Sequence, residues 1–376
     1  MFKYTMKYKV LELISTMGEG GAESLVKDYA LMINKSAFDI SILTVYHVKH
    51  STTIPSLEEA GISVKSILPG LNIFWKLVKW TIGTFYVPYK ILSYIRENDI
   101  CRVHVHMNQL HHLIPIMNKL DGVKIIYTVH NTPQKYFSGR SGRQEYKATQ
   151  IFSKRPNFKL VALHADMASE LSLMFKGSDV RVIENGVNFD KFISIDKTPA
   201  ILRKELGIPI DAYVIGHVGR FTEQKNHLFI VRVFKKILEK ESKAFLLLIG
   251  SGPLRALVED KLKDDSLRGR FLILEYRDDI PEIMRTMNVF LLPSLFEGLP
   301  ITLIEAQVSK LPCVVSDNIN KEALLLPSTI SMSLKDSEEV WADTCLSCPP
   351  KIEWNDKILM YDMNNVIRKL EHLYSE

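Results

Sequence analysis

Short apolar runs alternate with longer segments of helical spacing along most of the chain. In the first half, Lys9 to Ile14, Asp39 to Val45, Cys101 to Val105, Lys124 to Val129, Lys159 to Leu163 and Val180 to Ile183 read as strands. In the second half, Tyr213 to Val218, Ala244 to Ile249, Phe271 to Leu274, Val289 to Leu292 and Cys313 to Ser316 do the same. Strands separated by helix-like segments predict parallel sheets with crossover helices, an α/β fold. Both periodicities break between Asn188 and Ala200, around Asp190, Asp196 and Thr198-Pro199, before a helix-like Ile201 to Leu206. The expected organisation is a first domain over 1–190, a second over 191–358 and a terminal helix over 359–376.

A chain of 376 residues exceeds what one hydrophobic core usually serves, which agrees with two domains. Its 46% hydrophobic and 24% charged content is that of a globular protein. Cys345 and Cys348 form a Cys-x-x-Cys pair, but Pro349 and Pro350 follow in an apparent loop and no second pair exists, so these read as reduced thiols. Lys3, Lys7 and Lys9 precede a short apolar run that reads as a first strand rather than a secretory signal.

The net charge of +5 is carried by the first half. Residues 60–96 hold no acid beside Lys65, Lys76, Lys79, Lys90 and Arg96, and are rich in Ile73, Phe74, Trp75, Trp80, Phe85 and Tyr86. Such a segment suits the inner face of an anionic cell membrane, with lysines at the headgroups. Charges and Pro88 keep it from spanning. The same pattern also describes a helix face packed on a sheet with solvated lysines. No nucleic-acid-binding module is recognisable, so nucleic acid is not expected as a partner.

The most informative stretch is Phe296-Glu297-Gly298-Leu299-Pro300-Ile301-Thr302-Leu303-Ile304-Glu305, directly after the Val289 to Leu292 run. It places a glycine turn and a helix N-terminus at the carboxyl end of a strand, where open α/β sheets bind ligands and helix amides attract phosphate. A helix starting near Leu299 would put Glu305 almost two turns in and leave Glu297 on the entry loop. The two carboxylates then face different parts of one elongated ligand, each accepting sugar hydroxyls.

This stretch resembles the Glu-x7-Glu element of the family 4 retaining glycosyltransferases, which have the GT-B fold of two Rossmann-like domains around a cleft. Other elements agree in order: Gly18-Glu19-Gly20-Gly21-Ala22-Glu23 is similar to the glycine-rich donor loop, and Ile125 to His130 to the strand ending in the active-site histidine. Asn185-Gly186-Val187-Asn188 resembles the interdomain signature, Gly219-Arg220 with Lys225 the diphosphate-binding pair, and Gly250-Ser251-Gly252-Pro253 the Gly-x-Gly-Pro turn. From Gly216 onward the chain is especially similar to bacterial capsular and exopolysaccharide glycosyltransferases.

The resemblance implies transfer of a hexose or N-acetylhexosamine from a nucleotide diphosphate sugar, UDP-linked with GDP as the alternative, to a lipid-linked or oligosaccharide acceptor. It implies cytoplasmic, membrane-peripheral work on cell-surface polysaccharide. Arg220 and Lys225 would meet the growing diphosphate charge, helped by backbone amides at Leu299 to Leu303, with Gly298 and Pro300 also in the donor site, and, from the first domain, of Gly20 and Gly21. Glu305 would hold the ribose and Glu297 the donor sugar, with His130 binding the sugar or supporting the transition state. No Asp-x-Asp element is present, so no metal or other cofactor is expected. His104 and His106 share a strand face, but without a carboxylate or Cys close in sequence they do not suggest a metal. His106, at the strand end, is the cleft candidate, and His104 reads as packing. Front-side attack, with the leaving phosphate taking the acceptor proton, and domain closure about residues 188–200 follow from the same resemblance. A nucleotide-sugar epimerase or hydrolase, or a noncatalytic membrane scaffold, are the alternatives on this fold. A Rossmann oxidoreductase is disfavoured by the absence of a Gly-x-Gly-x-x-Gly loop with its distant acid.

Overall fold

The computed structural model describes residues 7–18, 20–49, 51, 53–70, 83–275, 277–349 and 353–376. The chain divides into two compact units, residues 1–186 with 364–376, and residues 187–363.

The first unit is built on seven strands: β1 (Tyr8–Ile14), β2 (Phe38–Tyr46), β3 (Ser63–Leu68), β4 (Arg102–His106), β5 (Lys124–Thr128), β6 (Phe158–Ala162) and β7 (Asp179–Val182). They lie in the order β3-β2-β1-β4-β5-β6-β7, with every pairing parallel. The second unit has six: β8 (Tyr213–Val218), β9 (Ala244–Ile249), β10 (Phe271–Leu274), β11 (Val289–Leu292), β12 (Cys313–Ser316) and β13 (Thr329–Met332). These follow the order β10-β9-β8-β11-β12-β13, again all parallel. Each unit is therefore Rossmann-like. Strand order reverses between β1 and β4 and between β8 and β11, and the carboxyl ends of strands at such reversals are where these sheets place their ligands.

Two strands escaped the apolar pattern, β3 and β13. Both are sheet edges, and neither is a continuous buried run: β3 reads Ser-Val-Lys-Ser-Ile-Leu and β13 Thr-Ile-Ser-Met, with most positions part-exposed. Central strands such as β9 and β11 are buried at every position because helices cover both faces. In the second unit Phe229 and Phe234, on the helix His227–Lys240, pack with Leu246, Leu248 and Trp341.

The final helix, Met363–Ser375, groups with the first unit. Its Tyr374 is fully buried. The Arg102 Nε donates to the Tyr374 carbonyl at 2.6 Å, and Lys369 Nζ to Glu184 Oε2 at 2.6 Å.

The aromatic stretch 73–82 lies outside the described residues. Beyond it, the helix Gly83–Glu97 exposes Phe85, Tyr86, Tyr89 and Lys90 and buries Val87. Among the described residues no helix is long and apolar enough to cross a membrane. Cys345 sits buried in the helix Glu338–Leu346, and Cys348 follows the helix end. All four cysteines are free thiols, and burial pushes Cys348 up to about 11.

Candidate active site

The second unit assembles its polar site where strand order reverses. The loop leaving β8 carries Gly219, Arg220 and, in a short 3-10 turn, Gln224 and Lys225. The loop leaving the neighbouring β11 carries Glu297. Lys225 Nζ meets Glu297 Oε1 at 2.6 Å, and Gln224 Nε2 donates to Glu297 Oε2 and to the Phe296 carbonyl, both at 3.0 Å. Backbone ties hold the loops together, with Leu295 N on the Gln224 carbonyl at 2.8 Å and Asn226 Nδ2 on the Pro293 carbonyl at 3.2 Å. The Glu297 side chain is 7% exposed and that of Lys225 15%, so this is a nearly desolvated ion pair. Arg220, five residues earlier, is exposed.

The glycines found in the sequence have a definite job here. A Cβ on Gly250 would lie 2.2 Å from the Gly219 carbonyl oxygen, and one on Gly252 2.5 Å from that of Phe221. Their φ values of +144° and +150° are also ones that L side chains rarely adopt. The turn after β9 thus braces the Gly219-Arg220 segment by backbone contact, reinforced by Gly219 N to the Ile249 carbonyl at 2.9 Å and Phe221 N to Ser251 at 2.8 Å.

The helix of the Glu-x7-Glu element runs Ile301–Val308, not from Leu299, because Pro300 stands at its N-cap in extended conformation. Glu305 therefore lies just over one turn in, half-buried, rather than almost two. The amides of Leu303 and Ile304 both turn back to the Pro300 carbonyl, at 3.0 and 3.3 Å. Ile301 and Thr302 are left as the residues whose amides head the helix; the Leu303 amide is used internally. Gly298, Leu299 and Pro300 form the buried approach to it. The hydroxyls of Ser294, just past β11, and of Thr302, in the first turn of this helix, are buried without a hydrogen-bond partner.

Behind the loop, His217 and His227 are buried with rings 4.7 Å apart, and His227 stacks on Phe221 at 4.1 Å. Burial holds His217 well below the usual range and His227 at about 3, aided by the nearby positive charge of Lys225.

The first unit carries a second polar constellation, also at its reversal of strand order. Glu12 on β1 pairs in register with His104 on β4. Its Oε2 lies 2.6 Å from His106 Nε2, and its Oε1 accepts the Tyr374 hydroxyl at 2.7 Å. His106 Nδ1 lies 2.9 Å from His130 Nε2, just past β5. His104 bridges the Tyr374 hydroxyl and Thr128 Oγ1, both at 2.7 Å. The carboxylate missing near His104 and His106 in the sequence is thus supplied by Glu12, so the reading of an acid-free histidine pair is corrected. Their nitrogens are satisfied by protein hydrogen bonds. His104 is a member of this network rather than mere packing. His106 is fully buried, and it is His130 that keeps a minor part of its surface open. Burial, and then the neighbouring His106, hold His130 well below the ordinary histidine range.

Gly20, the N-cap of the helix Gly21–Met32, is close to a carboxylate: a Cβ there would lie 2.4 Å from Glu23 Oε2. Glu23 is in turn held by Thr16 Oγ1 at 3.1 Å. The glycine's missing side chain makes room for Glu23, a first-turn acid beside the helix amides.

The sequence overlooked Glu12, Gln224, Tyr374 and the His217–His227 pair. Glu12 had left a signal: it is the one charge in Val10-Leu11-Glu12-Leu13-Ile14, and an unpartnered carboxylate inside a strand is prohibitive.

Two parallel Rossmann-like sheets, each with polar residues gathered at its reversal of strand order, are the architecture of the GT-B fold, and similarity to known proteins supplies the activity. The family model described as "Glycosyl transferases group 1" matches residues 212–345. The putative glycosyltransferase EpsF of Bacillus subtilis (strain 168) is 29% identical over 384 residues, covering 98% of this chain and 96% of that protein. The UDP-Gal:alpha-D-GlcNAc-diphosphoundecaprenol alpha-1,3-galactosyltransferase of Escherichia coli is 30% identical over 288 residues, covering 75% of this chain and 73% of its own. In fold, Anabaena Alr3699/HepE in complex with UDP and glucose superposes with a TM-score of 0.77 at 16% identity, over 98% of this chain and 100% of that one. The chain belongs to the group 1 glycosyltransferases.

Proposed function

We propose that this glycosyltransferase moves a hexose or N-acetylhexosamine from a UDP-sugar to a lipid-linked or oligosaccharide acceptor of a cell-surface polysaccharide, with retention and without a metal. The observation that carries the reading is the Lys225–Glu297 pair, set with Arg220 where β8 and β11 part. Lys225, a compact charge, and Arg220, a planar fork, meet the β-phosphate as the sugar–oxygen bond breaks and negative charge grows there. The helix start at Ile301 and Thr302 adds amide donors. A carboxylate has about four lone-pair sites, so Glu297 can bind Lys225 and Gln224 and still accept sugar hydroxyls. Glu305, in the second turn, takes the ribose, and His130 the donor sugar.

In the retaining step the C1–O bond to UDP breaks on the same face as the acceptor attacks. The acceptor hydroxyl proton passes to the departing phosphate oxygen, and the new glycosidic bond keeps the anomeric configuration. Catalysis then rests on charge stabilisation and alignment. The EpsF and galactosyltransferase relatives, both named as transferases, favour glycosyl transfer over an epimerase, a hydrolase or a scaffold. Exposed Phe85, Tyr86 and Tyr89 beside Lys90 suit contact with an anionic membrane where a lipid-linked acceptor resides.

The test is thermal unfolding with UDP in EDTA and again with magnesium, with Glu305→Ala beside the parent. At about a hundred times its dissociation constant, UDP adds roughly 2.7 kcal/mol and raises the midpoint by several degrees. That shift is expected in EDTA and is expected to vanish in Glu305→Ala. No shift with UDP, or parental transfer by Glu305→Ala, would overturn the reading. A shift that needs magnesium would overturn its metal independence.

A further inference from the structure

We propose that Glu12 and His106 are positioning residues for His130: they fix its tautomer so that it presents a bare Nδ1, a hydrogen-bond acceptor, to a sugar hydroxyl. The inference rests on the proposed role of His130 at the donor sugar.

The hydrogen bonds can be oriented from one end. Glu12, fully buried in a strand, is an acceptor when ionised. Tyr374 gives its single proton to Glu12 Oε1, so its oxygen must accept from His104 Nδ1–H. Neutral His104, whose protonation burial opposes, then accepts the Thr128 hydroxyl at Nε2. The other oxygen of Glu12 takes His106 Nε2–H. Taken as a neutral imidazole, whose one N–H goes to Glu12, His106 offers Nδ1 as an acceptor, and the proton in the 2.9 Å contact comes from His130 Nε2. His130, held neutral by its burial, is left with its lone pair on Nδ1. A nitrogen lone pair accepts from a hydroxyl and repels a carboxylate or phosphate. The network thus selects a neutral, hydroxylated sugar at this contact and aligns the ring that binds it.

The geometry spans three strands and the terminal helix: Glu12 comes from β1, His104 and His106 from β4, Thr128 from β5 and Tyr374 from the helix Met363–Ser375. Burying a carboxylate is expensive unless it is paired. A core with no further task would be served by apolar residues at positions 12 and 106, as at Leu11, Leu13, Val103 and Val105 around them. The chain of bonds that ends on His130, mostly buried but open on one side, gives that cost a purpose.

Nitrogen-15 NMR of the histidine-labelled wild-type protein at neutral pH tests the assignment without any variant. The expected result is Nε2–H, Nδ1-bare signals for both His106 and His130. A doubly protonated His106, or a proton on His130 Nδ1, would overturn the proposal. The near-isosteric Glu12→Gln keeps the volume but replaces one acceptor oxygen with a donor. It is expected to lower kcat about 10–100-fold, as loss of an orienting group does, with the UDP-induced thermal shift unchanged. Parental kcat in Glu12→Gln, with His130→Ala strongly impaired, would sink the positioning role alone. Parental kcat in His130→Ala would instead remove the role of His130 on which it rests.

Discussion

Lys225 and Glu297, seventy-two positions apart in the chain, are held 2.6 Å from each other by loops that leave adjacent strands β8 and β11. Removing either leaves the other charge nearly buried and unpaired, which costs about 3–5 kcal/mol for a buried pair. We expect Lys225→Ala and Glu297→Ala each to lower the unfolding midpoint clearly. The double variant should lose less than the sum of the two, by about 1–3 kcal/mol of coupling. Chemical denaturation of the four proteins gives the cycle, and strict additivity would contradict it. Transfer should fall at least about 100-fold in Lys225→Ala, the scale of one lost charge-stabilising donor.

Gly250→Ala puts a methyl 2.2 Å from the Gly219 carbonyl at a φ of +144°. The Gly219-Arg220 segment must move, so UDP should bind at least about 10-fold more weakly, alongside a stability loss of about 1–3 kcal/mol for the strained backbone. Isothermal titration with UDP and a melt of the same sample check both. Gly207→Ala, at a φ of +72° with open space around it, is the control for strain without a collision.

His227 accounts for part of the acid sensitivity expected of the second unit. Its folded pKa of about 3 lies below the unfolded value of about 6.5, so the unfolded chain binds the proton first. The resulting stability is complete above pH 6.5 and is lost as pH falls toward 3, by about 1.4 kcal/mol per pH unit. Both ring nitrogens of His227 are buried without hydrogen-bond partners, so Phe can take its place against Phe221. His227→Phe should equal or exceed the parent at pH 7.5 and gain roughly 2 kcal/mol on it at pH 5. Equal pH slopes for the two proteins would refute the assignment.

Glu145 is a fully buried carboxylate that accepts from the amides of Leu110 and His111, the His111 ring and the Tyr127 hydroxyl. Glu145→Gln loses acceptor capacity and sets an amide donor against these donors. A loss of about 1–3 kcal/mol is expected in chemical denaturation, with the UDP-induced shift intact.

Sequence alone determined the fold class, most of the strands and which polar residues stand on the second unit's loops. These features are local: a buried strand is a continuous apolar run, a glycine turn is a conformational requirement, and a helix start after a strand end is written in consecutive residues. The edge strands β3 and β13 were illegible because half-exposed positions dilute the apolar signal. Likewise, Pro300 moved the helix start by two residues and drew the Leu303 amide back to its own carbonyl. What only the tertiary structure decided was partnership. Glu297 finds Lys225 and Gln224, and Glu12 finds His106 and Tyr374, because parallel crossovers bring distant strands side by side. Tyr374 meets Glu12 across 362 positions of chain, and no periodicity within a sequence window encodes such a contact.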